Sequence, residues 1–122
     1  MKPFLIIHTC LGLEIIDVNT IVRIEASSNY SKLFFANNKT LVVAKTLQFL
    51  QCKLLLYQFT RVHKTHLVNL HFITRYKNGN QAFLFLTNGE KINISRRRKK
   101  DFLQYYYDVN DRRRLTTIPL LK

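Results

Sequence analysis

Short runs of four to seven residues, rich in β-branched and aromatic side chains, follow one another along most of the chain. Runs of this kind, in part alternating between apolar and polar residues, are typical of strands with one buried face. They are Phe4–His8, Leu13–Asp17, Val22–Ala26, Lys32–Ala36, Thr40–Val43, Phe59–His63, Ile73–Lys77, Gln81–Thr87 and Glu90–Ile94. Asn78-Gly79-Asn80 and Asn88-Gly89 separate the last three runs and predict hairpins, because asparagine and glycine tolerate positive φ. The pattern predicts a mainly β fold of short antiparallel strands.

A mid-chain segment departs from this pattern and predicts a helix. Leu47, Leu50 and Leu54 recur at steps of three and four residues, which places them on one helix face. Thr46 precedes them and is suited to cap the first turn. The polar stretch Ser27–Ser31, between two strands, predicts a loop, since such side chains compete for backbone hydrogen bonds.

A second, short helix is predicted near the C-terminus. It would span residues 96–107, with Ser95 as its cap and Phe102 on its apolar side. Residues 1–107 would then form the domain, and residues 108–122 a loosely ordered basic tail.

The charge balance adds a functional constraint. Of 122 residues, 20 are Lys or Arg and 7 are Asp or Glu, for a net charge of +13. Fourteen of these cations lie in residues 61–122. Such an excess favours a polyanionic partner, with nucleic acid first and an anionic membrane second. No apolar run approaches the about 18 residues of a membrane span, and no signal-peptide cleavage site is recognisable, so we expect a cytoplasmic protein without membrane contact.

No constellation of side chains predicts an enzyme, a metal site or a cofactor. His63 and His66 have the spacing of zinc ligands, but no Cys, Asp or Glu lies near them in sequence to complete the set. His63 is expected to be a half-buried strand residue instead. Cys10 and Cys52 lie among apolar residues and are predicted to be buried free thiols.

Two charged residues and one amide are predicted to have structural roles. Glu25 and Arg61 both lie in apolar strand contexts, where a charge without a partner would be costly. We therefore expect them to form an ion pair or to hydrogen bond. Asn69 is expected to hold a turn.

Four segments, in order, resemble the LytTR (LytR/AlgR-type) DNA-binding domain. They are Ile24-Glu25-Ala26 with Asn29-Tyr30, Thr46-Leu47 at the start of the mid-chain helix, the stretch FTRVHKTHLVN at residues 59–69, and NGEKINISR at residues 88–96. The resemblance covers roughly residues 4–106. It implies an elongated arrangement of short antiparallel strands whose loops enter adjacent major grooves of DNA. The receiver domain that usually precedes this module has no counterpart in the sequence, which we interpret as a stand-alone module.

The resemblance also implies which residues contact DNA. The candidate positions are Asn29, Ser31, Lys32, Lys64, Thr65, Arg96, Arg97, Arg98 and Lys99. Their chemistry fits the role, because asparagine pairs with adenine edges, arginine grips guanine and lysine suits phosphate. By family position Arg97 is the expected base contact, and the other members of the basic run are expected on the backbone. For the polar loop at residues 27–31, the alternative is an ordinary surface turn. For the basic run at residues 96–99, it is a solvated helix start without a ligand.

The favoured function is sequence-specific binding of double-stranded DNA in transcriptional control. The alternative is a β-rich RNA-binding or ribosome-associated basic protein, which the charge alone would fit. RNA modules of that type present exposed aromatic residues for base stacking, and no such motif is recognisable here. We expect a monomer in solution that binds as a pair on direct repeats of DNA. A separate sensor or regulatory protein would supply the signal.

Overall fold

The computed structural model of the protein describes residues 3–117, and the side chains as far as Val109. This part of the chain contains ten strands and two α-helices. The strands are β1 (Phe4–Thr9), β2 (Gly12–Asp17), β3 (Ile21–Ser27), β4 (Tyr30–Phe35), β5 (Thr40–Val43), β6 (Phe59–His63), β7 (His66–Asn69), β8 (Ile73–Lys77), β9 (Ala82–Leu86) and β10 (Lys91–Ile94). The helices are α1 (Leu47–Lys53) and α2 (Arg96–Thr117). The predicted mainly β fold is confirmed.

The described strands form three antiparallel sheets. A central sheet has the order β5-β4-β3-β7-β6, the hairpin β1-β2 lies apart from it, and the third sheet has the order β10-β9-β8. Strand β7 pairs with both β3 and β6. The sequence pattern did not predict this strand, because His66–Asn69 has only two apolar residues, adjacent to each other, and does not alternate.

Two separate hydrophobic cores lie on the two faces of the central sheet. Neighbouring residues of a strand face opposite sides, so Leu67 joins the first core and Val68 the second. The first core also contains residues of β1, β2 and α1, and the second contains residues of β9, β10 and α2. Each fully buried leucine or valine stabilises the fold by about 1.5–3 kcal/mol, so both cores hold the sheets together.

Helix α1 begins as predicted, because the Thr46 side chain accepts a hydrogen bond of 3.1 Å from the Phe49 N–H. Helix α2 begins at the predicted residue but continues to Thr117, beyond the predicted end at Tyr107. Val109 is buried in the second core, and no glycine or proline interrupts residues 96–117. The described part of the predicted tail is therefore a continuation of the helix, and residues 118–122 lie outside the described residues.

The predicted loop at residues 27–31 is a tight hairpin instead. Ser27 pairs with Tyr30, so that the turn consists of Ser28 and Asn29, and Ser28 has a positive φ of 57°. Ser31 consequently belongs to β4. Its side chain is fully buried, and its hydroxyl donates a hydrogen bond of 2.7 Å to the Lys45 carbonyl.

The predicted pairing of Glu25 with Arg61 is wrong. Glu25 instead accepts a hydrogen bond of 2.9 Å from Arg23, whose side chain lies on the same face of β3. Arg23 also makes a bidentate contact with Glu90, at 2.9 and 3.1 Å, and its guanidinium carbon lies 3.7 Å from the centroid of the Phe34 ring. The residue is buried, so this cluster joins the central sheet to the β8–β10 sheet.

The predicted burial of the two cysteines is also wrong. Cys10 lies in the turn between β1 and β2, and Cys52 on the outer side of α1. Both are exposed, because apolar neighbours in sequence do not share a face when the chain turns or winds into a helix. Asn69, in contrast, has its predicted role: it donates to the Ile21 carbonyl and accepts from the His71 N–H.

Candidate nucleic-acid interface

One end of the molecule brings together the β3–β4 turn, the β6–β7 turn and the start of α2. The Ala26 N–H donates to the Thr65 carbonyl at 2.8 Å, which fixes the two turns side by side. The Ser95 N–H donates to the Val62 carbonyl at 2.9 Å, which anchors the start of α2 beside the end of β6. These three segments, together with the first residues of β4, carry all nine of the DNA-binding positions predicted from the sequence.

Seven of the nine predicted residues have side chains that are exposed or half-buried. These seven side chains form no hydrogen bond with the rest of the described chain. We call them the basic end: Asn29, Lys32, Lys64, Arg96, Arg97, Arg98 and Lys99. Among the side chains that the structure describes, none of these cations forms an ion pair. Lys and Arg at a helix N-terminus also oppose the helix dipole, so the start of α2 carries positive charge without local compensation.

The other two predicted residues are engaged within the fold. The burial of Ser31 removes its hydroxyl from the surface, which contradicts its prediction as a contact residue in this conformation. The Thr65 hydroxyl lies 3.1 Å from His63 Nδ1 and 3.0 Å from His66 Nδ1. Since the Thr65 N–H also donates to His63 Nδ1, that nitrogen is an acceptor, and the hydroxyl helps to hold the turn.

Arg61 holds the β6–β7 turn in place through hydrogen bonds. Its guanidinium donates to the Lys64 carbonyl at 2.5 Å and to the Gln51 side chain at 3.1 Å. Burial, with a smaller contribution from the nearby Arg98 charge, lowers the pKa of Arg61 from its ordinary value. Arg61 therefore adds a second positive charge near Arg98 at this end. No sequence pattern indicated this proximity, because the two residues lie far apart in the chain.

His63 is half-buried, as predicted, and His66 is partly buried beside it, with ring centroids 5.8 Å apart. Burial lowers the pKa of His66, although Glu25, at 3.9 Å from Nε2, acts in the opposite direction. The described residues contain no group of three His, Cys, Asp or Glu side chains that could hold a metal ion. No helix in the described part of the chain is long and apolar enough to cross a membrane.

A cavity of about 470 Å³ lies next to the start of α2. Its lining includes three amide side chains that sequence reasoning did not select, Asn80, Gln81 and Asn93. Gln81 donates to the Ile94 carbonyl at 3.4 Å, which brings the β8–β9 turn against the end of β10. Asn80 and Gln81 lie at an ordinary hairpin signal and Asn93 lies within a strand, so nothing in the sequence distinguished these three.

The fold and the basic end together define a β-rich domain that exposes unpaired cations from a turn, a strand and a helix start, an arrangement typical of nucleic-acid-binding domains. The sequence profile of the LytTr DNA-binding domain matches residues 12–106, most of the chain, and the chain belongs to this family of DNA-binding domains of transcription regulators. The resemblance of the four segments to the LytTR domain is therefore confirmed.

A solved structure agrees with this assignment at the level of the fold. A LytTr DNA-binding domain from Bacillus cereus superposes with a TM-score of 0.71 at 20% sequence identity, covering 86% of this chain and 97% of the other. No curated protein gives a significant match to the chain.

Proposed function

We propose that the protein binds double-stranded DNA sequence-specifically, by inserting the turns and helix start of the basic end into the major groove, and so regulates transcription. The observation that carries this proposal is that the cations at residues 96–99 have no anionic partner among the described side chains. A polyanion would supply that partner and release its own counterions on binding.

Within this surface, Arg97 is assigned to a base edge by its family position, and the other cations at residues 96–99 are assigned to phosphates. Arg97 is exposed and has no hydrogen-bond partner among the described residues, so its guanidinium is free to grip O6 and N7 of a guanine. Arg98 and Lys99 are half-buried along α2 and are assigned to phosphates. Asn29 is placed at the tip of a two-residue turn, where its amide can reach an adenine edge.

The test is selection of bound duplexes from a pool of random double-stranded DNA, followed by competition of the selected duplex with random DNA and with RNA of the same sequence. The proposal predicts a recurring motif, and at least about 10³-fold weaker binding to random duplex at moderate salt. Enrichment of no motif would contradict sequence-specific binding. Equal or tighter binding of the RNA would favour the RNA-binding alternative.

A further inference from the structure

The cavity beside the start of α2 is lined by groups from four parts of the chain. His63 closes one side at the end of β6, residues 79–82 form the β8–β9 side, Asn93 lies on β10, and Arg96 and Lys99 come from the first turn of α2. Its volume, about 470 Å³, lies within the range of about 300–1,000 Å³ that is usual for small-molecule sites.

The lining contains cations and amides but no acidic residue. Among the described residues, the side chains of Asn80, Asn93, Ser95, Arg96 and Lys99 have no hydrogen-bond or ion-pair partner. Several donors that converge on one concave space without partners form a site for an anionic ligand with several acceptor oxygens.

We propose that this cavity binds a phosphate group, with Lys99 and Arg96 as its cationic contacts and Asn93 and Asn80 as its amide donors. The phosphate comes either from the backbone of bound DNA or from a free phosphorylated molecule. The first source rests on the proposed function, because it makes the β8–β9 turn a further DNA-contacting segment. The second would make DNA binding sensitive to a small anion, since Arg96 belongs both to the cavity and to the basic end.

The experiment is an NMR titration of the full chain with inorganic phosphate, at constant ionic strength maintained with chloride. The proposal predicts saturable shifts of the backbone amides that line the cavity, at Gln81, Asn93 and Arg96. Lys99→Met should weaken phosphate binding about tenfold, because a charge-assisted hydrogen bond is lost. Lys100→Met is the matched control, since it removes the same charge one residue further along α2, outside the lining, and should change phosphate binding less than about twofold.

A second variant tests the cavity without removing a cation. Asn93→Asp is nearly isosteric on the exposed side of β10 and places a negative charge in the cavity, so it should abolish saturable binding of phosphate. Shifts that do not saturate, or that weaken equally in Lys99→Met and Lys100→Met, would overturn the proposal.

Duplex binding by Asn93→Ala distinguishes the two sources, because Asn93 lines the cavity but lies outside the basic end. If the phosphate belongs to DNA, Asn93→Ala weakens both duplex binding and phosphate binding. If the ligand is a free phosphorylated molecule, Asn93→Ala binds duplex as tightly as the unmodified chain and loses only the response to phosphate. Duplex binding without phosphate binding would refute this inference alone, whereas absence of duplex binding would refute the proposed function.

Discussion

Arg97 shows how a single side chain is prepared for base contact. The Ser95 N–H is tied to the Val62 carbonyl and Ile94 is buried, so the backbone that carries Arg97 is held by the second core. The side chain itself is exposed and has no partner among the described residues. Because this backbone is already held in place, only the Arg97 side chain has to be ordered when a specific contact forms, which limits the conformational entropy lost.

Replacement of Arg97 by alanine should therefore weaken binding to the selected duplex by about 1–3 kcal/mol and relax the preference at one base pair. The measurement is fluorescence anisotropy with the selected duplex and its single-base variants. Lys39→Ala is the control, because Lys39 is exposed in the β4–β5 turn, at the opposite end of β4 from the basic end. An unchanged base preference in Arg97→Ala would show that another residue makes the base contact.

For single residues, the sequence predicted which segments form the basic end better than it predicted which side chains are buried. Three of the four family motifs cover the β3–β4 turn, the β6–β7 turn and the start of α2. Ser31 was misassigned because a two-residue turn, rather than the predicted five-residue loop, shifts it into β4 and towards Lys45. Cys10 was misassigned because its apolar neighbours suggested burial, although the predicted runs Phe4–His8 and Leu13–Asp17 place it in the turn between two strands.

The connection between sheets depends on one buried arginine. Arg23 on β3 holds Glu90, which precedes β10, so the central sheet and the sheet leading into α2 keep a fixed relation. The Asn88 side chain donates to Glu90 at 3.0 Å and orients the carboxylate. Because β3 leads into the β3–β4 turn and β10 leads into α2, this contact helps to fix the position of the turn relative to the start of α2.

Glu90→Ala should lower the free energy of unfolding by about 1–3 kcal/mol, because it leaves donors of a buried guanidinium without an acceptor. Urea denaturation measures the change. Glu14→Ala, which removes a carboxylate without an ion pair among the described residues, should stay within about 0.5 kcal/mol of the unmodified protein. Equal effects of the two substitutions would show that the Arg23–Glu90 contact contributes nothing specific.

Stability should also fall on acidification, in two steps. Burial lowers the pKa of His66 below its ordinary 6.5, so the unfolded chain takes up the proton first and stability declines as the pH falls below about that value. The Arg23 hydrogen bond lowers the pKa of Glu90 below 4.5, so its contribution is present above that pH and lost below it.

The His66 step is measured by urea unfolding of the protein and of His66→Gln at about pH 7.5 and about pH 5.5. The unmodified protein should lose more stability between these pH values than the variant does. A larger loss in His66→Gln would contradict the direction of the His66 shift.

At the level of elements, the turn residues predicted the hairpins and the leucine spacing predicted α1, because both signals are local in sequence. Strand β7 was missed because its place between β3 and β6 is fixed by tertiary pairing. The end of α2 was placed too early because burial of Val109 depends on the second core, which no local pattern shows.

For the whole molecule, its small size limits the sequence specificity that one copy can reach. One domain contacts few base edges, and each bidentate pair contributes about 1–3 kcal/mol of discrimination against about 10⁶–10⁹ competing sites in a genome. Two copies on neighbouring direct repeats would multiply that discrimination. A net charge of +13 opposes association of free copies, which agrees with the proposal of a monomer in solution that pairs on DNA.

This arrangement predicts that affinity depends on helical phase. A gel-shift series in which the spacing of two selected sites increases by single base pairs should show optima one turn, about 10–10.5 bp, apart, and a minimum when about 5 bp are added. A duplex with one selected site is the control and should bind more weakly than duplexes with two sites in phase. Affinity independent of phase, or a stable dimer by light scattering without DNA, would rule out the paired arrangement.

The central claim, that the basic end binds the DNA backbone, is tested most directly by the salt dependence of duplex binding. If about six phosphates are neutralised, log affinity should fall against log salt with a slope near −5. Replacement of Arg96, Arg98 and Lys99 by alanine should make the slope shallower by about 2.7, because three of those contacts are lost. Replacement of Lys39, Lys53 and Lys91 by alanine removes the same charge away from the basic end and should change the slope by less than about 1. A nearly flat slope for the unmodified protein, or equal changes in the two triple variants, would contradict the account.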